Sequence, residues 1–369
     1  MIKSWATGLT LCMSSLLLST SALADVEEGR VDRAVAAMPT VLAPFSAQLS
    51  QIKAGISDEE LIQIAAAGWE IGKQVALQQA DDRPLYWFRL AAKQKIRQLP
   101  LAEPDKNVLL DQFEQVSRGI EQVQISDVGK RVLLTGFDPF FLDRNIAQSN
   151  PSGLAALQLD GKQLVTPNGV LHIETVLIPV RFADFDQGMI ETLVQPYLQQ
   201  RRIDMLVTVS MGRKDFDLER FPGKRRSAKA PDNLNVFTGA SNDTPLLPPL
   251  HHGAMVGPEF VEFSLPVAAM QQAQGPYQIN DNREVETLSG TFDASSLAQL
   301  SEHVAVQGGG GGYLSNEISY RTVRMRDLFN ANIAVGHIHT PRIAGYDKQQ
   351  EQAIVDQITA MLEKAATEL

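Results

Sequence analysis

The sequence predicts an α/β fold: a mostly parallel sheet with helices on both faces, preceded by a helical N-terminal extension. Two observations predict it. Beyond Gly129, short unbroken apolar runs alternate with stretches of helical spacing, the pattern of strands buried on both faces and joined by crossover helices. From residue 25 to residue 128, apolar residues recur at helical spacing without strand-like runs.

In the extension, the periodicity predicts helices over Val31–Met38, Asp58–Ala80 and Arg83–Leu99. Ser57 followed by Glu60 supplies the two halves of a capping box for the middle helix. Pro39 ends the first helix, and Pro100 and Pro104 interrupt the pattern after the third. Trp69, Tyr86 and Trp87 read as core or interface residues. Farther along, the expected strands are Arg131–Phe137, Ile173–Val180, Met205–Ser210 and Ile333–Ile338. The expected helices are Pro151–Leu159, Asp184–Gln200, Asn316–Asn330 and Lys348–Leu369. Between residues 242 and 312 a stretch rich in proline, glycine and polar residues reads as an excursion at one edge of the domain formed by residues 129–369. It ends in five consecutive glycines, Gly308–Gly312, which fit either a flexible linker or part of a site.

Residues 1–24 have a basic start at Lys3, a short apolar stretch and a small-residue end at Ala22-Leu23-Ala24. This is the anatomy of a secretory signal peptide, so export is expected, to the periplasm if the source is bacterial. The mature chain is expected to have no membrane span. The single cysteine, Cys12, lies in that leader, which leaves the mature chain without a thiol for disulfides, metal ligation or thiolate chemistry. A net charge of -10 with no basic stripe argues against a nucleic-acid partner. A homo-oligomer is compatible with these features.

Three segments place reactive groups where a strand meets a loop or helix, the edge at which open parallel sheets bind ligands. The first is Gly136-Phe137-Asp138-Pro139-Phe140, followed by Asn150-Pro151-Ser152; its two phenylalanines can face a flat neutral ring or can simply be core. The second runs from Gly212-Arg213 through Glu219-Arg220 to Ala228-Lys229, where a lone glutamate ordinarily means a solvated charge. The third is Tyr313-Leu314-Ser315-Asn316, with His339 following 24 positions later. Ser315 can be a helix N-cap, or a nucleophile at a helix N-terminus with glycine N–H groups behind it. His337 and His339 share one strand face and, with His251-His252, raise a metal site as an alternative, although no ligand spacing supports it.

These segments, in this order, resemble the pyrrolidone-carboxylate peptidases, which remove N-terminal pyroglutamate from peptides. The similarity runs from Val132 to Pro341. It implies that Phe137 and Phe140 sandwich the lactam ring, Ser315 stands at the nucleophile, His339 is the general base and Glu219 the acid that orients it. Lys229 falls where the family has an arginine near the oxyanion site. No cofactor or metal is implied, and the implied partner is a peptide bearing N-terminal pyroglutamate. The chain departs from the pattern near the chemistry: Ser315 replaces cysteine, and Phe141 and Leu142 replace glycines that would otherwise keep the pocket wide. Glu317 replaces a histidine and is expected to add a negative charge beside the nucleophile. A serine must lose its proton during attack, so the histidine must be well placed as base. A hydrolase using Ser315, and an inactive member that binds such peptides, are the two expectations.

Overall fold

A computed structural model describes residues 25–369; the expected leader lies outside the described residues. The N-terminal side comprises α1 (Val31–Ala37), α2 (Ser46–Gln51), α3 (Asp58–Gln79), α4 (Arg83–Arg97) and α5 (Glu103–Ser117). The capping box forms as the sequence predicts: the Glu60 N–H donates to Ser57 Oγ at 3.2 Å and the Ser57 N–H to Glu60 Oε2 at 2.8 Å. Helix α5 was not expected, because Pro104 reads as a breaker. It stands in the first turn, where its missing N–H costs nothing.

The remainder contains β1 (Lys130–Phe137), α6 (Pro151–Leu159), β2 (Gln163–Thr166), β3 (Gly169–Ile178), α7 (Phe182–Asp186), α8 (Met189–Gln199), β4 (Met205–Met211) and β5 (Phe216–Glu219). There follow β6 (Pro249–Leu250), β7 (Gly253–Ala254), α9 (Val267–Met270), β8 (Ile279–Asn282), β9 (Glu284–Thr287), β10 (Gly290–Asp293) and β11 (Ala305–Gln307). The chain closes with α10 (Leu314–Leu328), β12 (Ala334–Thr340) and α11 (Lys348–Ala365). The seven-stranded sheet has the order β2-β3-β1-β4-β12-β5-β8. Its centre, β3-β1-β4-β12, is parallel; β2 pairs antiparallel with β3 and β5 with β12, and β8 runs parallel to β5. This is the mostly parallel, helix-covered sheet predicted from the sequence. The helix expected over Asp184–Gln200 is two, α7 and α8, divided at Gly188, whose φ of +80° is left-handed.

One hydrophobic cluster runs through both parts of the chain, from Phe45, Trp69, Trp87 and Phe88 to Leu133, Val207 and Ile338. Burying each such side chain contributes roughly 1.5–3 kcal/mol. The helical extension is therefore packed into the same core as the sheet.

Candidate active site

The carboxyl ends of β1, β4 and β12 meet beside the start of α10. There a small cleft is lined by Phe137, Phe140, Asn150, Val180, Ser210, Met211, Tyr313, Leu314 and Ser315. Phe137 and Phe140 both reach it, and each packs its other side elsewhere. The Phe137 ring lies 6.4 Å from that of Phe185, and Phe140 lies 4.7 Å from Phe141. Phe141 and Leu142 do not line the cleft, so they do not narrow it. Phe141 instead takes a left-handed φ of +59°, an uncommon conformation for a bulky residue, and Leu142 is buried in the core.

Charge from the helical extension anchors the aromatic loop. The buried Asp138 carboxylate is paired with Arg89 of α4 at 3.0 Å and with Arg118, just after α5, at 2.7 Å. The Asn150 side chain donates to the Asp138 carbonyl at 2.9 Å, and the Asn150 N–H donates to Asp82. Asn233 closes the loop from the other side by donating to the Pro139 carbonyl at 2.9 Å.

Beside the cleft, His339 stands in register with Ser210 on β4. Its Nδ1 lies 2.5 Å from Glu219 Oε1, and both side chains are buried. Its Nε2 makes no hydrogen bond among the described residues. The lone glutamate of the sequence is thus the partner of the histidine. Asn282 donates to Glu219 Oε2 at 2.6 Å.

Ser315 does not cap α10. The helix begins at Leu314, and Ser315 falls inside its first turn, where its hydroxyl donates to the Gly310 carbonyl at 3.1 Å rather than to His339. The glycine run packs tightly around this point. A Cβ on Gly309 would come within 2.6 Å of Glu219 Oε2, and one on Gly310 within 3.1 Å of Asn316 Cα. The linker reading is therefore overturned: these glycines are needed for close approach. They connect the two halves of the site, with Glu219 against Gly309 and Ser315 on Gly310. Asn316 secures the neighbouring chain through paired bonds with the backbone of Gly223.

Two expectations change. Glu317 adds no free charge beside Ser315. Burial alone would raise its pKa, but Arg226 at 2.6 Å and Arg321 at 2.7 Å hold it below the usual carboxylate range. Lys229 is exposed, forms no ion pair among the described residues and does not line the cleft, because the loop carrying it turns outward after Ala228 has donated to the Gly312 carbonyl.

His337 is not disposed as a ligand. Its Nδ1 and Nε2 lie 2.8 Å from Thr208 Oγ1 and Ser210 Oγ, and burial, with His339 beside it, keeps its pKa well below the usual range. No cluster of three metal-binding side chains occurs among the described residues. Sequence reasoning missed Ser210 and Asn282. Ser210, at the end of an expected strand, was within reach of the sheet-edge rule; Asn282, in a polar run that reads as a turn, carried no signal.

Residues 131–262 and 279–344, more than half of the chain, match the family described as PA0049, C-terminal domain. The chain belongs to this family. A curated relative, the uncharacterized protein PA0049 of Pseudomonas aeruginosa, is 28% identical over 360 residues, covering 73% of this chain. The chain spans 65% of the length of that relative. Similar solved structures include a mutant pyrrolidone carboxyl peptidase from the hyperthermophile Pyrococcus furiosus, at 18% identity and a TM-score of 0.44, covering 65% of this chain and 99% of that one. Pyroglutamyl peptidase I from Bacillus amyloliquefaciens has 20% identity and a TM-score of 0.43, covering 65% and 94%.

Proposed function

We propose that this protein is an exported hydrolase that removes N-terminal pyroglutamate from peptides, with Ser315 as nucleophile, His339 as base and Glu219 as orienting acid. The observation that carries the reading is the 2.5 Å contact between Glu219 and His339, buried beside a cleft that holds both Phe137 and Phe140 and the Ser315 hydroxyl. The carboxylate accepts from Nδ1–H and so fixes the tautomer that leaves Nε2 free to take a proton. The lactam ring lies between the two phenylalanines, in surroundings that disfavour a charged free amine.

Ser315 leaves the Gly310 carbonyl and turns to His339 Nε2. Its Oγ bonds to the scissile carbonyl carbon while Nε2 takes the hydroxyl proton. The C–N bond then breaks, the proton passes to the leaving amine, and water releases pyroglutamate. The first-turn N–H groups of α10 have no intrahelical acceptor and face the developing oxyanion, a role the outward position of Lys229 leaves to the backbone.

Ser315→Ala abolishes turnover of a pyroglutamyl reporter peptide and leaves the melting temperature unchanged; equal rates in both proteins defeat the reading. One observation favours a second reading, a binding protein: the Ser315 hydroxyl rests on Gly310 and not on His339. Titration calorimetry with the same peptide, with mass spectrometry for released pyroglutamate, separates binding alone from hydrolysis.

A further inference from the structure

We propose that Asn282, supplied by the excursion between Glu219 and Ser315, is a positioning residue that holds the Glu219 carboxylate on His339 and ties it to the glycine run beneath Ser315. The inference rests on the reading of Glu219 and His339 as an orienting pair. Strand β8 adds to the sheet edge in parallel with β5, and its register sets Asn282 opposite Glu219. The Asn282 amide donates one hydrogen to Glu219 Oε2 at 2.6 Å and the other to the Gly309 carbonyl at 3.1 Å, while its Oδ1 accepts from the Glu284 N–H at 3.2 Å. These three partners fix the orientation of the amide.

Glu219 is fully buried, and no lysine or arginine pairs with it among the described residues. Without Asn282, Oε2 would lose its only side-chain donor among the described residues, and the carboxylate could swing away from Nδ1. Two residues earlier, Asn280 donates to Asp217 Oδ1 at 2.9 Å in the same cross-strand arrangement, but it is exposed.

Other titratable groups around the pair are few. On β12, the His337 ring lies 4.9 Å from that of His339. On β5 there is Asp217, held by Asn280, and on β8 Asp281, ion-paired with Arg220. Strand β4 and the glycine run contribute none. Loss of the Asn282 donor frees the Glu219 carboxylate to turn off Nδ1, and the imidazole loses its fixed orientation.

The test is proton NMR of the His339 Nδ1–H in the full chain, assigned by its absence from His339→Gln, together with kcat and KM of reporter hydrolysis. In Asn282→Ala the Nδ1–H resonance moves upfield as its bond to Glu219 loosens, and kcat falls about tenfold while KM stays within about twofold, since Asn282 is outside the cleft. An unchanged Nδ1–H resonance with unchanged kcat in Asn282→Ala overturns the inference. A shift without any Ser315-dependent turnover in the parent leaves the clamp standing and removes the peptidase reading instead.

Discussion

Glu219 and Glu317 are both fully buried, both close to Ser315, and held in opposite ways. Glu317 sits between the guanidinium groups of Arg226 and Arg321, which are in turn paired with Asp186 and Glu191. Asp138, under the aromatic loop, is treated in the same way by Arg89 and Arg118. Among the described residues Glu219 has only an imidazole and a primary amide. A carboxylate neutralised by full cations is inert scaffolding. One held by neutral donors can orient a histidine that, under the proposed mechanism, gains and loses a proton. On that reading the choice of partner, more than burial, separates the frame of the site from its proposed working pair.

The largest effect expected from this contrast is on turnover. Glu219→Gln keeps the shape but cannot accept a hydrogen bond from His339 and Asn282 with both atoms, and the imidazole loses its preferred tautomer. A fall in kcat of about 10⁴-fold is expected, about 5.5 kcal/mol of barrier, with a smaller change in KM. Steady-state kinetics on the pyroglutamyl reporter measure it. A fall of less than tenfold would place Glu219 with Glu317, in the frame.

Glu317→Gln should show the reverse pattern. It strips the charge from between two buried arginines, and breaking such a cluster costs about 3–5 kcal/mol of unfolding stability. Denaturant unfolding reads the loss; the surviving folded protein should retain kcat within about threefold, because Glu317 touches neither His339 nor the cleft. If the kinetic loss exceeded the loss of stability, the two glutamates would have to exchange roles.

This contrast explains how much the sequence could disclose. The apolar runs of β1, β4 and β12 and the helical spacing of α3, α4, α6 and α10 were legible because burial on a regular element leaves a period. The strands β5 and β8 on one side of the sheet were not, since Phe-Asp-Leu-Glu and Ile-Asn-Asp-Asn are short and half polar, and their pairing comes from register with neighbours far away in the chain. His339, Ser315 and both phenylalanines could be singled out because each lies at or beside an end of a legible element. Glu219 rested on resemblance, and nothing local distinguished it from Glu317; which carboxylate meets a histidine and which meets arginines is decided only when β5, β12 and α10 come together. The five glycines misled for a related reason, because composition cannot tell a glycine kept for freedom from one kept for lack of space.

A third buried glutamate extends the comparison. Glu351 of α11 accepts a hydrogen bond from the Ser149 hydroxyl, its Oε2 has no partner among the described residues, and Asp81 and Asp82 lie nearby with Arg83. Like Glu219 it has neutral donors, but it has no histidine. Burial, reinforced by the Asp81 charge against the opposing effects of Ser149 and Arg83, raises its pKa to about 8. Asp82 is raised too, by burial and by Glu351. A carboxyl whose pKa is raised on folding stabilises the native state fully below its unfolded value, here 4.5, and loses that contribution as pH rises through about 8. Wild-type stability should therefore decline across this window by on the order of 5 kcal/mol. Glu351→Gln, neutral at every pH, should flatten the decline, with Asp82 leaving a residual slope. Melting temperatures of both proteins at pH values of about 5, 7 and 9 provide the measurement. Parallel curves would mean that Glu351 is ionised in the native state.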